Sequence, residues 1–415
     1  MTETVDIAII GAGAAGLMAG IWVGRTSPEL SVVALDGARK IGAKILVAGG
    51  GRCNVTHERV DERDYAGSSR NAVKKVLRSF DVQQTVAFFA QLGVALKREE
   101  TGKLFPVTDS ARTLLNALLA EAQRVGVRIR HPRKVASVRR IENAFILEGD
   151  WGSLYARRVI LAPGGKSLPK SGSDGSGFEI AKQLGHSISA RVFPALVPLS
   201  LPPDHILRTL SGLSAPATLE VRAGSGKKLA SFTDATLCTH FGLSGPGPLN
   251  VSRHLIDATL DDPQAHLIIN WVPNFSEERL DEELQRLGRA TPLSRLRAHL
   301  PERLARALCE AAAVASDAPG SDLARDSRRR LVRGVVSMRV PVIGNRGFEF
   351  AEATAGGVPL SELHLDRMES RPNPGAFLCG EVCDVDGRIG GFNFQWAWSS
   401  GYLAGVGAAR TFHES

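Results

Sequence analysis

Cysteine is scarce and unpaired in this chain: five residues in 415, scattered along the length. A secreted disulfide framework is therefore excluded, since that needs an even set at close spacing in a short chain. No Walker lysine, no H-E-x-x-H and no Ser/His/Asp triad appears, so P-loop, zincin and serine-hydrolase chemistry have no footing. Charge of one sign is barely in excess, with Lys+Arg 51 against Asp+Glu 43 leaving +8. A chain 43% hydrophobic and 23% charged is neither disordered nor collagenous nor a coiled coil. Long apolar runs are also missing, apart from Ile7–Gly24, which carries no charge and reaches the shortest length for a membrane span. Five glycines, at 11, 13, 16, 20 and 24, make that run a poor isolated helix. It also follows Glu3 and Asp6, where a signal peptide would have a basic leader. The chain reads as soluble and cytoplasmic, long enough for two or three domains.

Glycine is what the sequence has in surplus: 43 residues without a period, against a background of roughly 7%. They gather at four places. Val5–Ile10 is a β-branched run that reads as a buried parallel strand, and Gly11-Ala12-Gly13-Ala14-Ala15-Gly16 follows it directly. Ala14–Thr26 then reads as an apolar helix, and a second strand over Ser31–Leu35 ends at Asp36. Strand, glycine turn, helix and acid together form a dinucleotide fingerprint. Gly11 permits the tight turn, Gly13 lets backbone approach a pyrophosphate, and Gly16 lets helix and strand pack closely. The helix start offers free N–H groups to phosphate, and Asp36 would accept ribose hydroxyls.

The second cluster, Gly49-Gly50-Gly51-Arg52-Cys53-Asn54, cannot hold a helix or strand and reads as a loop against a ligand. The third follows an apolar strand at Ala162-Pro163-Gly164-Gly165 and continues through residues 171–177 into a helix over Phe178–Leu184. The fourth follows a strand over Ala376–Cys379: Gly380-Glu381, then Asp384 and Asp386, then Gly390-Gly391-Phe392-Asn393 opening a helix to about Arg410. Four such corners at the ends of four strands predict one ligand at the carboxyl edge of an open α/β sheet.

Gly11–Gly16 with Asp36, Ala162–Gly165 and Gly380–Glu381 with Asp386 and Gly390–Gly391 resemble FAD enzymes of the glutathione-reductase type. The strings Gly49–Asn54, Thr239–Pro246 and Gly390–Gln395 are similar to the aminoacetone oxidase family of single-nucleotide-domain flavoproteins, which also contains reductases of dehydro-bile acids. The resemblance implies an α/β fold in which a discontinuous Rossmann-like FAD-binding domain, residues 1–189 and 356–415, carries an inserted β-barrel and helical cap domain at 190–355. It places Ala14 and Ala15 at the pyrophosphate and Asp36, Gly37 and Lys40 at the adenosine. Val135, in a strand expected over Lys134–Val138, would read the adenine edge through its backbone. Gly51, Arg52, Cys53 and Asn54 would pass beside the flavin, with Ala162, Gly164, Gly165, Gly380, Glu381 and Asp386 along the cofactor. Gly391, Phe392 and Asn393 would turn N–H groups toward the flavin pyrimidine, where a helix start stabilises reduced-flavin charge.

In the middle of the chain, Val197–Leu201, Thr218–Arg222, Leu229–Phe232, Thr236–Thr239 and Leu267–Trp271 read as strands. Leu280, Leu284, Leu287, Leu296, Leu300, Leu304 and Leu308 recur at helical spacing and read as the core of a small helical region. A second G-x-G-x-x-G is absent, so NAD(P)H would bind transiently without its own domain, or a reduced substrate would pass electrons on to oxygen. Cys53 has no second cysteine within five residues, which removes a dithiol mechanism and leaves a packed small side chain as the better reading. His240, in a loop with Gly242 and Ser244, is the candidate catalytic acid or base, although a histidine bonding its own loop serves as well. No metal site is expected from the acids at 381–386 or from Cys379 and Cys383. The basic run Arg325, Arg328, Arg329, Arg330 and Arg333 reads as a solvated helix face without aromatic interleaving, so nucleic acid is not the expected partner. The expectation is hydride transfer between FAD and a small organic substrate, either reducing an activated alkene or oxidising an amine. Two alternatives stand beside it: a tRNA-modifying flavoprotein and a flavin-bound redox sensor without turnover.

Overall fold

The computed structural model describes residues 3–413. The chain divides into two units, one up to Pro194 and again from Glu352, the other Ala195–Ala351. Each has its own hydrophobic core.

The first unit is built on five parallel strands in the spatial order Ala376–Leu378, Gly152–Leu161, Thr4–Ile10, Val32–Leu35 and Val127–Arg130. Strands buried on both faces of such a sheet are apolar throughout, and Ile7, Ile9, Val33, Val159, Ile160 and Phe377 are fully buried. Register is the informative feature. Ile10 pairs with both Leu35 and Leu161, and Leu161 pairs with Leu378. Four strands therefore end level, and Gly11, Asp36, Ala162 and Cys379-Gly380 leave the same edge. Short antiparallel strands at Leu363–His364 and Glu369–Ser370 extend the sheet beyond Ala376–Leu378.

Two helices pack together on this sheet, Ala14–Thr26 and Phe392–Arg410. Both are apolar nearly all round, the pattern of a helix enclosed by other elements. Their approach depends on glycine: a methyl group at Gly401 would lie 2.6 Å from the Ala15 carbonyl oxygen, and one at Gly405 would overlap that of Ala19.

The second unit is a seven-stranded antiparallel sheet, in the order Met338–Val340, His266–Asn270, Ser214–Arg222, Lys228–Thr239, Gly242–Ser244, Leu199–Ser200 and Gly344–Asn345. Two expected strands, Leu229–Phe232 and Thr236–Thr239, are one here. The polar residues between them continue the ladder, with Thr233 opposite Thr218 and Asp234 opposite Ala217. The strand expected over Val197–Leu201 shrinks to Leu199–Ser200, because Pro198 and Pro202 have no N–H to donate to a ladder. Leu280, Leu284, Leu296, Leu300, Leu304 and Leu308 are buried with Trp271 against the sheet. The arginine run lies on the helix Arg325–Val336, which buries Leu331, Val332, Val335 and Val336. Arg328 pairs with Asp281 at 2.8 Å, and Arg330 donates to the Ala312 carbonyl at 3.1 Å. No helix among the described residues is long and apolar enough to cross a membrane.

Candidate functional site

At the first corner, Gly11 has φ +96°, and a methyl group there would overlap the Ala162 carbonyl. Gly16 is as tightly placed against the Gly11 carbonyl, whereas a methyl group at Gly13 would meet nothing within 4 Å. Gly13 also caps the helix Ala14–Thr26, whose first turn has no side-chain cap and no acid. The N–H groups of Ala14 and Ala15 thus belong to a helix start with its positive dipole end uncompensated. Asp36 accepts from the Ala12 N–H and from the Ala38 N–H, each at 2.7 Å. A carboxylate retains lone pairs beyond those two bonds. Gly37 packs against the Lys134 side chain, since a methyl group there would lie 3.0 Å from its Cβ. Lys40 is exposed on the bend that follows. Val135 is buried but lies in irregular backbone, not in a strand; the strand begins at Ser137. Its neighbour Ala136 already donates to the Glu148 carbonyl at 2.8 Å.

The second corner holds three successive residues at positive φ, Gly49 (+56°), Gly50 (+67°) and Gly51 (+87°), a path that side chains resist. Arg52 leaves it to pair with Glu99 at 2.5 Å, over the Phe105 ring. Cys53 is fully buried, and burial pushes its thiol up to about 12, so it is a packed neutral side chain at neutral pH. Asn54 is 8% exposed, and its side-chain oxygen has no hydrogen-bond donor among the described residues.

The third and fourth corners meet. A methyl group at Gly164 would lie 2.6 Å from the Ser173 hydroxyl, and one at Gly165 would lie 2.5 Å from the Thr354 hydroxyl and 3.0 Å from Glu381. The buried Ser173 hydroxyl has no hydrogen-bond partner among the described residues. Thr354 accepts from the N–H groups of Lys166 and Ser167 at 2.8 and 3.0 Å. Glu381 accepts from Ser167 at 2.6 Å and pairs with Lys44. Gly380 touches the first corner, where a methyl group would lie 2.8 Å from the Ala15 Cβ. Asp386 is buried on the short strand Val385–Gly387, opposite Ala66.

The C-terminal helix starts at Gly391 (φ +93°), also without a side-chain cap or an acid in its first turn. A methyl group at Gly391 would lie 2.7 Å from the backbone of Thr56, which joins this start to the second corner. Phe392 stacks on His57 at 5.1 Å, and the Asn393 side chain clamps Gly387 by bonds of 2.8 and 3.0 Å. Gln395 accepts from Thr56 and Thr85 and donates to Phe80 and Ser399, all within the core.

His240 belongs to the second unit, exposed on the turn between Lys228–Thr239 and Gly242–Ser244. Its carbonyl accepts from Arg208 at 2.7 Å, and its ring meets Phe241 edge-on at 5.1 Å. Sequence reasoning passed over Lys44, Ser167, Thr354 and Glu352. Glu352 is an exposed residue at the start of the second segment of the first unit. Desolvation raises its carboxyl above the usual carboxylate range against the pull of Lys44 and Lys103. No group of three metal-ligating side chains occurs among the described residues.

Two uncapped helix starts, an open Gly13, an acid at the end of the second strand and the unsatisfied buried oxygens of Asn54 and Ser173 suit an extended polar ligand with an anionic centre. FAD fits that description.

The HI0933-like protein Rossmann domain profile matches residues 5–407. The chain is 33% identical over 407 residues, 97% of its own length and 98% of the relative's, to the 3-dehydro-bile acid delta(4,6)-reductase of Clostridium scindens. It is 32% identical over 403 residues, 96% of its length and 97% of the relative's, to the ribosomal RNA dihydrouridine synthase of Escherichia coli. Among solved structures, the FrdA subunit of E. coli quinol fumarate reductase superposes with a TM-score of 0.53 at 15% identity, covering 100% of this chain and 71% of that one. The 3-ketosteroid delta1-dehydrogenase of Sterolibacterium denitrificans gives 0.50 at 14% identity, covering 99% and 100%. Those two likenesses bear on the fold. With the family profile matched over residues 5–407, the chain belongs to the HI0933-like family of FAD-binding Rossmann proteins.

Proposed function

We propose that the chain binds one FAD in the unit that contains Gly11, Asp36 and Gly391, and reduces a carbon–carbon double bond conjugated to a carbonyl. The level ending of four parallel strands, followed by Gly11, Asp36, Ala162 and Cys379-Gly380, carries the cofactor reading. Ala14 and Ala15 would hold the pyrophosphate by backbone N–H groups, and Asp36 the ribose, with Gly37, Lys40 and Val135 around the adenosine. Gly51, Arg52, Cys53 and Asn54 would flank the flavin, and Gly164, Gly165, Glu381 and Asp386 the chain between. The uncapped start at Gly391, Phe392 and Asn393 would stabilise negative charge at the flavin pyrimidine. When bound and reduced, FAD supplies a hydride.

The remaining need is a proton for the carbon next to the carbonyl. Glu352 is the candidate donor, since desolvation raises its carboxyl above the usual carboxylate range against the pull of Lys44 and Lys103. His240 is the rival donor. Both relatives' names describe gain of hydrogen, one by a dehydro-bile acid and one by uridine, and both substrates carry a double bond conjugated to a carbonyl. NAD(P)H would reduce the flavin without a domain of its own.

A second reading of the substrate, uridine within ribosomal RNA, is favoured by the relatives of that name in E. coli and Haemophilus influenzae. The test is anaerobic. Protein reduced with dithionite is mixed with a 3-oxo-4,6-diene bile acid or with a ribosomal RNA fragment. Return of oxidised-flavin absorbance, with a product carrying two extra hydrogens, is expected. Failure of both substrates, and of an unconjugated control, would leave the non-catalytic reading.

A further inference from the structure

The second unit carries an aromatic and cationic surface that the reaction above does not use. Arg346 follows the edge strand Gly344–Asn345, and its backbone N–H donates to the Pro198 carbonyl at 3.1 Å. Its guanidinium carbon lies 4.5 Å from the centroid of the Phe241 ring and 4.1 Å from that of Phe350. The Phe241 backbone is fixed as well, its carbonyl accepting from Leu201 at 3.0 Å. Phe350 is 47% exposed and nearby Ile343 is 64% exposed. Rings placed for core packing are buried, and Phe350 is not. Neither Arg346 nor Arg208, which anchors the neighbouring turn, makes an ion pair among the described residues.

We infer that Phe241, Arg346 and Phe350 form a stacking platform for single-stranded RNA, with a base on the exposed Phe350 ring and a phosphate at the free guanidinium. Base–aromatic stacking beside an unneutralised cation is how proteins hold single strands without reading sequence. The chain's surplus of eight positive charges has the right sign. The basic helix Arg325–Val336 lacks the aromatic partner, and two of its arginines are already used on Asp281 and Ala312. Such a platform rests on the reductase reading only in choosing RNA over a free small molecule as the substrate.

The test is fluorescence anisotropy of a labelled, uridine-rich single-stranded RNA with the flavin-loaded protein across a salt series. Wild-type protein is expected to bind, and Phe350→Ala to bind about tenfold more weakly. Arg346→Gln should flatten the dependence of log Kd on log salt by about 0.7, one phosphate contact. Flavin content and melting temperature should stay as in wild type, which separates lost binding from lost folding. No binding by wild type, or equal binding by both variants, would overturn the inference. If RNA does not bind but cholate does, and cholate binding is lost in Arg346→Gln, the surface is a site for a small amphipathic anion and the inference is overturned. RNA failing to bind while a steroid dienone reoxidises the flavin defeats the platform alone. RNA binding without flavin reoxidation by any conjugated substrate defeats the reductase alone.

Discussion

The Asp36 carboxylate accepts the Ala12 N–H at 2.7 Å, tying the end of the second strand to the glycine turn after the first. Its other oxygen accepts the Ala38 N–H at the same distance. One side chain therefore shapes the turn and presents an acceptor beside it, so its two roles separate only when folding and cofactor retention are measured together.

Asp36→Ala should lower FAD retention at least about tenfold, as expected for loss of a charged hydrogen-bond acceptor. Two loop bonds go with it, costing stability on the order of 1–3 kcal/mol. Flavin absorbance after gel filtration and the melting temperature report the two effects. Full retention of FAD would contradict the ribose role.

Gly13 and Gly16 give opposite outcomes from the same substitution. Gly13 has φ −80° and open space, so Gly13→Ala should fold and lose FAD. Gly16→Ala would drive its methyl group into the Gly11 carbonyl and should destabilise the chain by about 3 kcal/mol or more. Circular dichroism melts with flavin content distinguish them, and equal behaviour would refute the division of roles.

All five thiols are buried. Burial pushes Cys53 to about 12 and Cys238 and Cys309 to about 11, and raises Cys379 and Cys383 as well. The folded chain then holds these protons more tightly than the unfolded one. Their contribution is intact below the ordinary thiol range and is lost as pH rises toward 11 and 12, by about 1.4 kcal/mol per pH unit per thiol. Urea titrations from pH 8 to 11 should show falling stability, and native protein at pH 8 should resist iodoacetamide. Rapid labelling of Cys53 would contradict its packed role.

Glu352→Gln should keep FAD and lower turnover about 100-fold. A carboxyl raised in the folded state donates its proton below its shifted pKa and fails above it, so wild-type activity should fall on the alkaline side. The same shift removes stability as pH rises. If Glu352→Gln keeps the wild-type profile and His240→Ala does not, the proton comes from His240.

The first strand, turn and helix were legible because their signal is local. Val5–Ile10 was expected and Thr4–Ile10 observed, and the helix Ala14–Thr26 has the expected bounds. Cys53 was legible from a missing partner. The network of Lys44, Ser167 and Glu381 was not, because its members stand 123 and 337 residues from Lys44, and only the fold brings them together. Thr233 and Asp234 looked like a break between strands, since a polar pair carries no sign of the ladder that runs through it. Arg346 gave no signal because its meaning lies in two rings, one of them more than a hundred residues away.

The measurement that bears most directly on this account is the flavin stoichiometry of the purified chain, followed by anaerobic reoxidation. One FAD per chain, bleached by dithionite and restored by a conjugated alkene but not by its saturated analogue, is the predicted result. A colourless protein that refuses FAD on reconstitution, or a bound flavin that no conjugated alkene reoxidises, would contradict it.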